Sequence, residues 1–216
     1  MDWTRAIDGY CERTDPSYWS EAINALTNLA FLIAAAIMWR RSPGRTSARV
    51  LSVVLALIGI GSWLFHTHAT AWAALADTAP IMGFTLIYIY LANRDFLGFP
   101  PWLSGLGALA YIPYTAALTP VIDAVPFLTI SSFYWPLPLL IFTYALVLRR
   151  RFGTTSANLA IGAAILCASL VARSLDEGLC DSLPLGTHWL WHVLNATMLA
   201  WMIETWRRHV AYSATS

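Results

Sequence analysis

The sequence predicts an all-α integral membrane protein: one bundle of seven transmembrane helices, with the N-terminus outside and the C-terminus cytoplasmic. Three observations predict it. Of the 216 residues, 58% are hydrophobic and only 12% are charged, roughly half the charged share of an ordinary soluble domain. Apolar runs of ~18 residues or more recur along the chain, the length a helix needs to cross a bilayer. Ten of the 13 basic residues gather in alternate connections and after the last span, as the positive-inside rule requires of cytoplasmic segments.

The elements follow in order. Residues 1–19 are polar and carry acids. A cleaved signal would have a basic start and an apolar core, so the first span is expected to direct insertion itself. Spans follow at 20–39, 48–68, 71–92, 102–119, 125–148, 156–174 and 187–206, with a cytoplasmic tail at 207–216. Turns are marked by Ser42-Pro43-Gly44, Gly98-Phe99-Pro100-Pro101 and Leu183-Pro184-Leu185-Gly186. Pro113, Pro120, Pro126, Pro136 and Pro138 crowd the fourth and fifth spans, which predicts kinks or a shifted boundary there. Arg40, Arg41, Arg45 and Arg49 lie in the first connection, Arg94 in the third, Arg149, Arg150 and Arg151 in the fifth, and Arg207 and Arg208 after the last span. The opposite side keeps only Arg5, Arg13 and Arg173. Seven spans reconcile both ends of the chain with that distribution.

Composition also excludes functions. A net charge of +1 argues against a nucleic-acid partner, which would need a basic surface. Every basic residue is Arg, so the chain cannot hold retinal through a lysine Schiff base. The same absence of Lys, with Arg-rich loops, fits a GC-rich prokaryotic source and a bacterial inner (plasma) membrane. Asp2, Asp8, Glu12, Asp15 and Glu21 cluster in or beside the N-terminal segment, and Asp176, Glu177 and Asp181 in the last outer connection. Acids orient membrane proteins poorly, so this clustering reads as a possible cation site.

Four of the five histidines fall where two spans approach the outer surface. His188 and His192 open the seventh span at i,i+4, which puts both imidazoles on one helical face about 6 Å apart. That spacing chelates a metal such as zinc, which takes three protein ligands in a catalytic site. His66, at the outer end of the second span, lies at matching depth and shares a face with Ser62. Asp77 lies one or two turns into the third span, where an acid is costly in lipid and usually faces a polar cavity. A lone interfacial histidine is more often an anchor than a ligand; the pair, the third histidine and the acid together favour metal. His68 points elsewhere and reads as interfacial. His209 lies beyond the last span beside two arginines, where solvation accounts for it.

These residues carry a resemblance. Gly61-Ser62-Trp63-Leu64-Phe65-His66-Thr67, then Asp77 with Pro80-Ile81-Met82, then Gly186-Thr187-His188-Trp189-Leu190-Trp191-His192, resemble the alkaline ceramidases. That family sits in a superfamily of seven-span membrane hydrolases that includes adiponectin-receptor relatives. Tyr10-Cys11-Glu12-Arg13 and the run from Ser20 to Asn28 resemble its calcium-binding opening. The resemblance implies zinc held by His66, His188 and His192, Asp77 deprotonating the attacking water, and Ser62 steadying the oxyanion. It implies hydrolysis of ceramide or another N-acyl lipid to a fatty acid and an amine lipid. Zinc suits that chemistry, since it lowers the pKa of a bound water to about 7 and polarises a carbonyl. Calcium would be held by Glu12, Glu21 and the Tyr10 carbonyl, with Asp8 and Thr14 standing near the places of a family Asp and Asn. Cys11 and Cys180, both expected outside in an oxidising compartment, would form the disulfide that similar enzymes carry; Cys167 is mid-span packing. Two other classes use the same residues: a receptor-like protein with a structural zinc site, and a haem protein bound between facing histidines.

Overall fold

The computed structural model describes residues 2–7 and 9–213, without the side chain of Ser213. Asp8, one of the expected calcium ligands, lies outside the described residues. The chain forms α1 (Ala22–Thr27), α2 (Leu29–Arg41), α3 (Thr46–His68), α4 (Ala71–Asp95), α5 (Pro101–Leu109), α6 (Tyr111–Asp123), α7 (Pro136–Leu148), α8 (Gly153–Leu175) and α9 (His188–Ser213). Five segments are long and apolar enough to cross a membrane: Ala22–Arg41, Thr46–His68, Ala71–Asp95, Pro101–Asp123 and Gly153–Leu175. They match the first four and the sixth predicted spans.

Where prediction and structure differ, proline and polar side chains explain it. The fifth span was expected over 125–148, but its α-helix starts only at Pro136 and runs 13 residues, about 20 Å. Pro126 opens a short 3₁₀ stretch, Pro126–Ser131, instead. A proline supplies no N–H and fits best in a helix's first turn, so Pro136 sets the start of α7. The fourth span breaks at Ala110 between α5 and α6, next to the carbonyl of Leu109, which the ring of Pro113 would meet in a continuous helix. The first span breaks at Asn28. There the Thr27 hydroxyl donates to the carbonyls of Ile23 and Asn24, and the Asn28 amide donates to the Asn24 carbonyl, side-chain bonds that loosen a helical ladder. Residues 207–213, expected as tail, continue α9, with Arg207 and Arg208 both bonded to Glu204 one turn back.

Helix α3 is central and packs against α2, α4 and α9, while α8 lies between α7 and α9. Phe31, Leu51, Leu55, Ile58, Leu170, Met198 and Ile203 fill the shared interior. Small residues let the backbones close up. A Cβ on Gly61 would sit 2.0 Å from the Ala76 carbonyl of α4, and one on Gly59 would sit 2.9 Å from the Phe31 Cβ. Between α3 and α4 the chain reverses over Ala69 and Thr70, with Ala69 held left-handed at φ 44°. The N-terminal segment runs along this corner: Ile7 N–H donates to the Ala69 carbonyl, and Ala71 N–H to the Arg5 carbonyl. The packing therefore carries the end of α3, the start of α4 and the start of α9 to one end of the bundle, under the N-terminal segment.

Candidate metal centre

His66, His188 and His192 meet at that end, each almost wholly buried. Their ring centroids lie 4.6–5.0 Å apart, and one nitrogen from each lies within 4.8 Å of the others. Among the described residues this is the group of histidine, cysteine and acid side chains that can share a metal.

Neighbours fix which nitrogen each ring offers. The Glu21 Oε2 is 2.6 Å from His66 Nδ1. A carboxylate only accepts, so Nδ1 carries the proton and Nε2 keeps a free lone pair. That Nε2 is buried with no partner. On His192, Nδ1 lies 2.9 Å from the Thr27 hydroxyl. Thr27 spends its one proton on helix carbonyls, so here it accepts, Nδ1 is protonated and Nε2 is the lone-pair nitrogen. His188 leaves its own Nδ1 buried and unpaired. An unpaired buried polar atom costs ~1–3 kcal/mol, and a metal ion would satisfy the two orphaned imidazole nitrogens of this group. Three imidazoles on a rigid frame, two of them oriented by outer partners, make a donor set that suits zinc.

Around this group lie the other expected catalytic residues. Ser62 is buried, its hydroxyl 3.5 Å from His192 Nε2. The close approach at Gly61 brings its neighbour Ser62 to the Asp77 carboxylate across the α3–α4 contact. Asp77 is half-buried and lines a cavity of about 280 Å3 with Tyr10, Tyr134, Arg173, His188 and Trp191. Thus Ser62, His66, Asp77, His188 and His192, read from motifs, come together in space.

The expected calcium ligands are differently occupied. Glu12 accepts the backbone N–H groups of Ile23 and Asn24, at 2.6 and 2.8 Å, and so caps α1. Glu21 is taken by His66 and by Arg13, whose Nε lies 2.5 Å from Oε1. Tyr10 lays its ring over His188 at 3.8 Å between centroids, and burial pushes its phenol above the ordinary range. Thr14 is exposed. Asp15 bonds the Ser17 N–H at 2.7 Å in a local turn, which holds its carboxyl below the usual range.

Two neighbours of the site, Asp176 and Arg173, escaped sequence reasoning. Asp176, counted only among outer acids, is buried and accepts the N–H groups of Cys11, Thr187 and His188 at 3.0, 2.6 and 2.8 Å. It caps the N-terminus of α9 from a distance, and no local pattern signals a cap twelve residues upstream. Gly186 makes this possible: it has φ +59°, and a Cβ there would meet Asp176 Oδ1 at 2.0 Å. Arg173, counted only for topology, reaches Ser131 Oγ and lies over the rings of Tyr134 and Trp191. Cys11 and Cys180 are bonded, joining the N-terminal segment to the connection before α9. His68 is exposed and packs edge-on against Tyr18, as an interfacial residue would. His209 is a correction. It is buried rather than solvated, bonded to Thr155 and set between Phe96 and Phe152, because α9 continues past the end of its predicted span.

A family model described as Ceramidase matches residues 6–213. Among curated proteins, no relative matches the chain.

Proposed function

Because the chain belongs to the ceramidase family, we propose that it is a zinc-dependent membrane amidase that splits ceramide or a similar N-acyl lipid into a fatty acid and an amine lipid. Ceramidases are hydrolases of an amide bond in a membrane lipid, and five spans of apolar helix suit such a substrate. The observation that carries the reading is the buried group of three imidazoles with orphaned nitrogens beside Ser62 and Asp77. A metal bound there supplies Lewis acidity, polarising the amide carbonyl and making water acidic enough to attack near neutral pH.

The chain's own residues supply the rest. Asp77, at the cavity edge, accepts the proton that water loses as its oxygen bonds the acyl carbon. It then passes that proton to the nitrogen as the C–N bond breaks. Water is thereby divided, its hydroxyl to the acid and its proton to the amine. Ser62 donates a hydrogen bond to the oxygen on which negative charge develops. Tyr10, over His188, and Trp191 shield the site from bulk water. Deeper in the bundle, Phe84, Tyr88, Leu137, Met198 and Met202 line an apolar cavity of about 40 Å3. Phe84 is seven residues beyond Asp77 on α4, about 10 Å along its axis, a depth that suits the start of an acyl chain. The reading extends to seven crossings with the N-terminus outside, supported by the arginine distribution, and to a bacterial inner membrane.

The test is turnover with metal content measured on the same sample. Purified protein should contain one zinc per chain and release fatty acid from an N-acyl lipid. Asp77→Asn should keep the zinc and lose turnover, which separates an enzyme from a receptor with a structural zinc. His192→Ala should lose both. Full zinc occupancy with no release from any N-acyl lipid would overturn the enzymatic reading.

A further inference from the structure

The family resemblance implies a calcium ion against Glu21, and the structure puts a side chain of the protein there instead. The Arg13 guanidinium bonds Glu21 Oε1 at 2.5 Å, and its Nη2 donates to the backbone carbonyl of His66 at 3.1 Å. Both side chains are sealed from solvent, with exposures of 6% for Arg13 and 2% for Glu21. The other Glu21 oxygen takes His66 Nδ1–H and, at 3.3 Å, the Asn24 amide. Arg13 thus grips one histidine twice, through the carboxylate on its ring and through its own carbonyl.

A calcium ion needs six to eight oxygens. Here the two acids expected to supply most of its charge are already engaged by N–H donors, Glu12 by the start of α1 and Glu21 by Arg13, His66 and Asn24. No group of three acids among the described residues can share an ion. A guanidinium, always charged, would also repel a divalent ion placed beside it. Among the described residues the donor set does not fit calcium.

We propose that Arg13 is the built-in cation of this site: it replaces calcium, holds Glu21 against His66 and so fixes the imidazole with Nε2 toward the metal. The charge that neutralises Glu21 is covalently part of the chain and cannot dissociate, so this protein works without calcium. Arg13 is a positioning residue, since it acts on the reacting atoms only through Glu21 and His66. An outer partner of this kind, when removed, typically lowers metal affinity 10–100-fold. The proposal rests on the reading of the three histidines as zinc ligands.

The experiment measures zinc dissociation by chelator competition and thermal midpoint, on zinc-loaded wild type, Arg13→Gln and Arg13→Lys. Wild type should show the same midpoint and zinc affinity with and without added calcium. Arg13→Gln should hold zinc 10–100-fold more weakly, and Arg13→Lys should recover part of that loss by restoring charge. Arg41→Gln, which breaks an exposed pair with Glu204 at the far end of the bundle, should leave zinc affinity unchanged and so separates positioning from general destabilisation. A wild-type midpoint that rises with calcium overturns the proposal, even if Arg13→Gln fails to fold. So does wild-type zinc affinity in Arg13→Gln. Absence of zinc from wild type would instead sink the metal reading itself.

Discussion

Thr27 shows how a single hydroxyl can decide which nitrogen of an imidazole is left free for a metal. Its proton goes to helix carbonyls and its lone pair to His192 Nδ1, so the ring is held in one tautomer. Thr27→Val keeps shape and removes the acceptor, leaving a buried N–H unpaired. Zinc affinity should fall, by up to the ~10–100-fold typical of outer partners, as read by chelator competition; an unchanged value would mean Thr27 only packs. Ser62 makes a separate contribution. If its hydroxyl steadies the oxyanion, Ser62→Ala should lower kcat by about 10²–10³ with zinc and KM little changed, the cost of one such donor. A loss confined to KM would assign Ser62 to substrate packing. The histidines were legible because i,i+4 spacing and depth can be counted. Thr27, Glu21 and Arg13 were not legible as outer partners, since nothing in their own neighbourhoods names the ring they touch.

At the scale of elements, the α3–α4 contact is what joins Ser62 to Asp77. Gly61→Ala would place a methyl 2.0 Å from the Ala76 carbonyl, which cannot be met without separating the helices. Overpacking of this kind costs ~1–3 kcal/mol. Turnover should fall with the thermal midpoint, whereas Gly83→Ala, with nothing within 4 Å, should change neither. A harmless Gly61→Ala would show that the approach is not required. The disulfide works at the other side of the site. It ties the segment carrying Tyr10, Glu12 and Arg13 to the connection anchored by Asp176, and such bonds typically contribute 2–4 kcal/mol. Cys180→Ser, or reduction, should lower the midpoint and weaken zinc retention together; an unchanged zinc affinity would confine the bond to stability.

For the whole molecule, the arginines that converge on Glu204 and the three-histidine group lie at opposite ends of the bundle. Arg41, Arg207 and Arg208 converge on Glu204, twelve residues or about 18 Å beyond His192 along α9. If the arginine end faces the cytoplasm, the metal faces outward. A membrane-impermeant chelator should then inactivate right-side-out vesicles and spare inverted ones. The reverse pattern would invert the topology.

Composition alone determined that this is a helical membrane protein, because apolar run length and charge placement are properties of the chain that bilayer thickness reads directly. Residue identity and spacing also singled out the three histidines, Asp77 and Ser62, which the fold brings to one end of the bundle. Tertiary structure decided the rest. It shortened the fifth helix to the stretch after Pro136, buried His209, and set Asp176 as a cap on α9. It also set two acids of the N-terminal segment, Glu12 and Glu21, as bonded partners of α1, Arg13 and His66. The reason is range: periodicity and propensity act over a few residues, whereas each of these outcomes depends on atoms that meet only when distant helices pack.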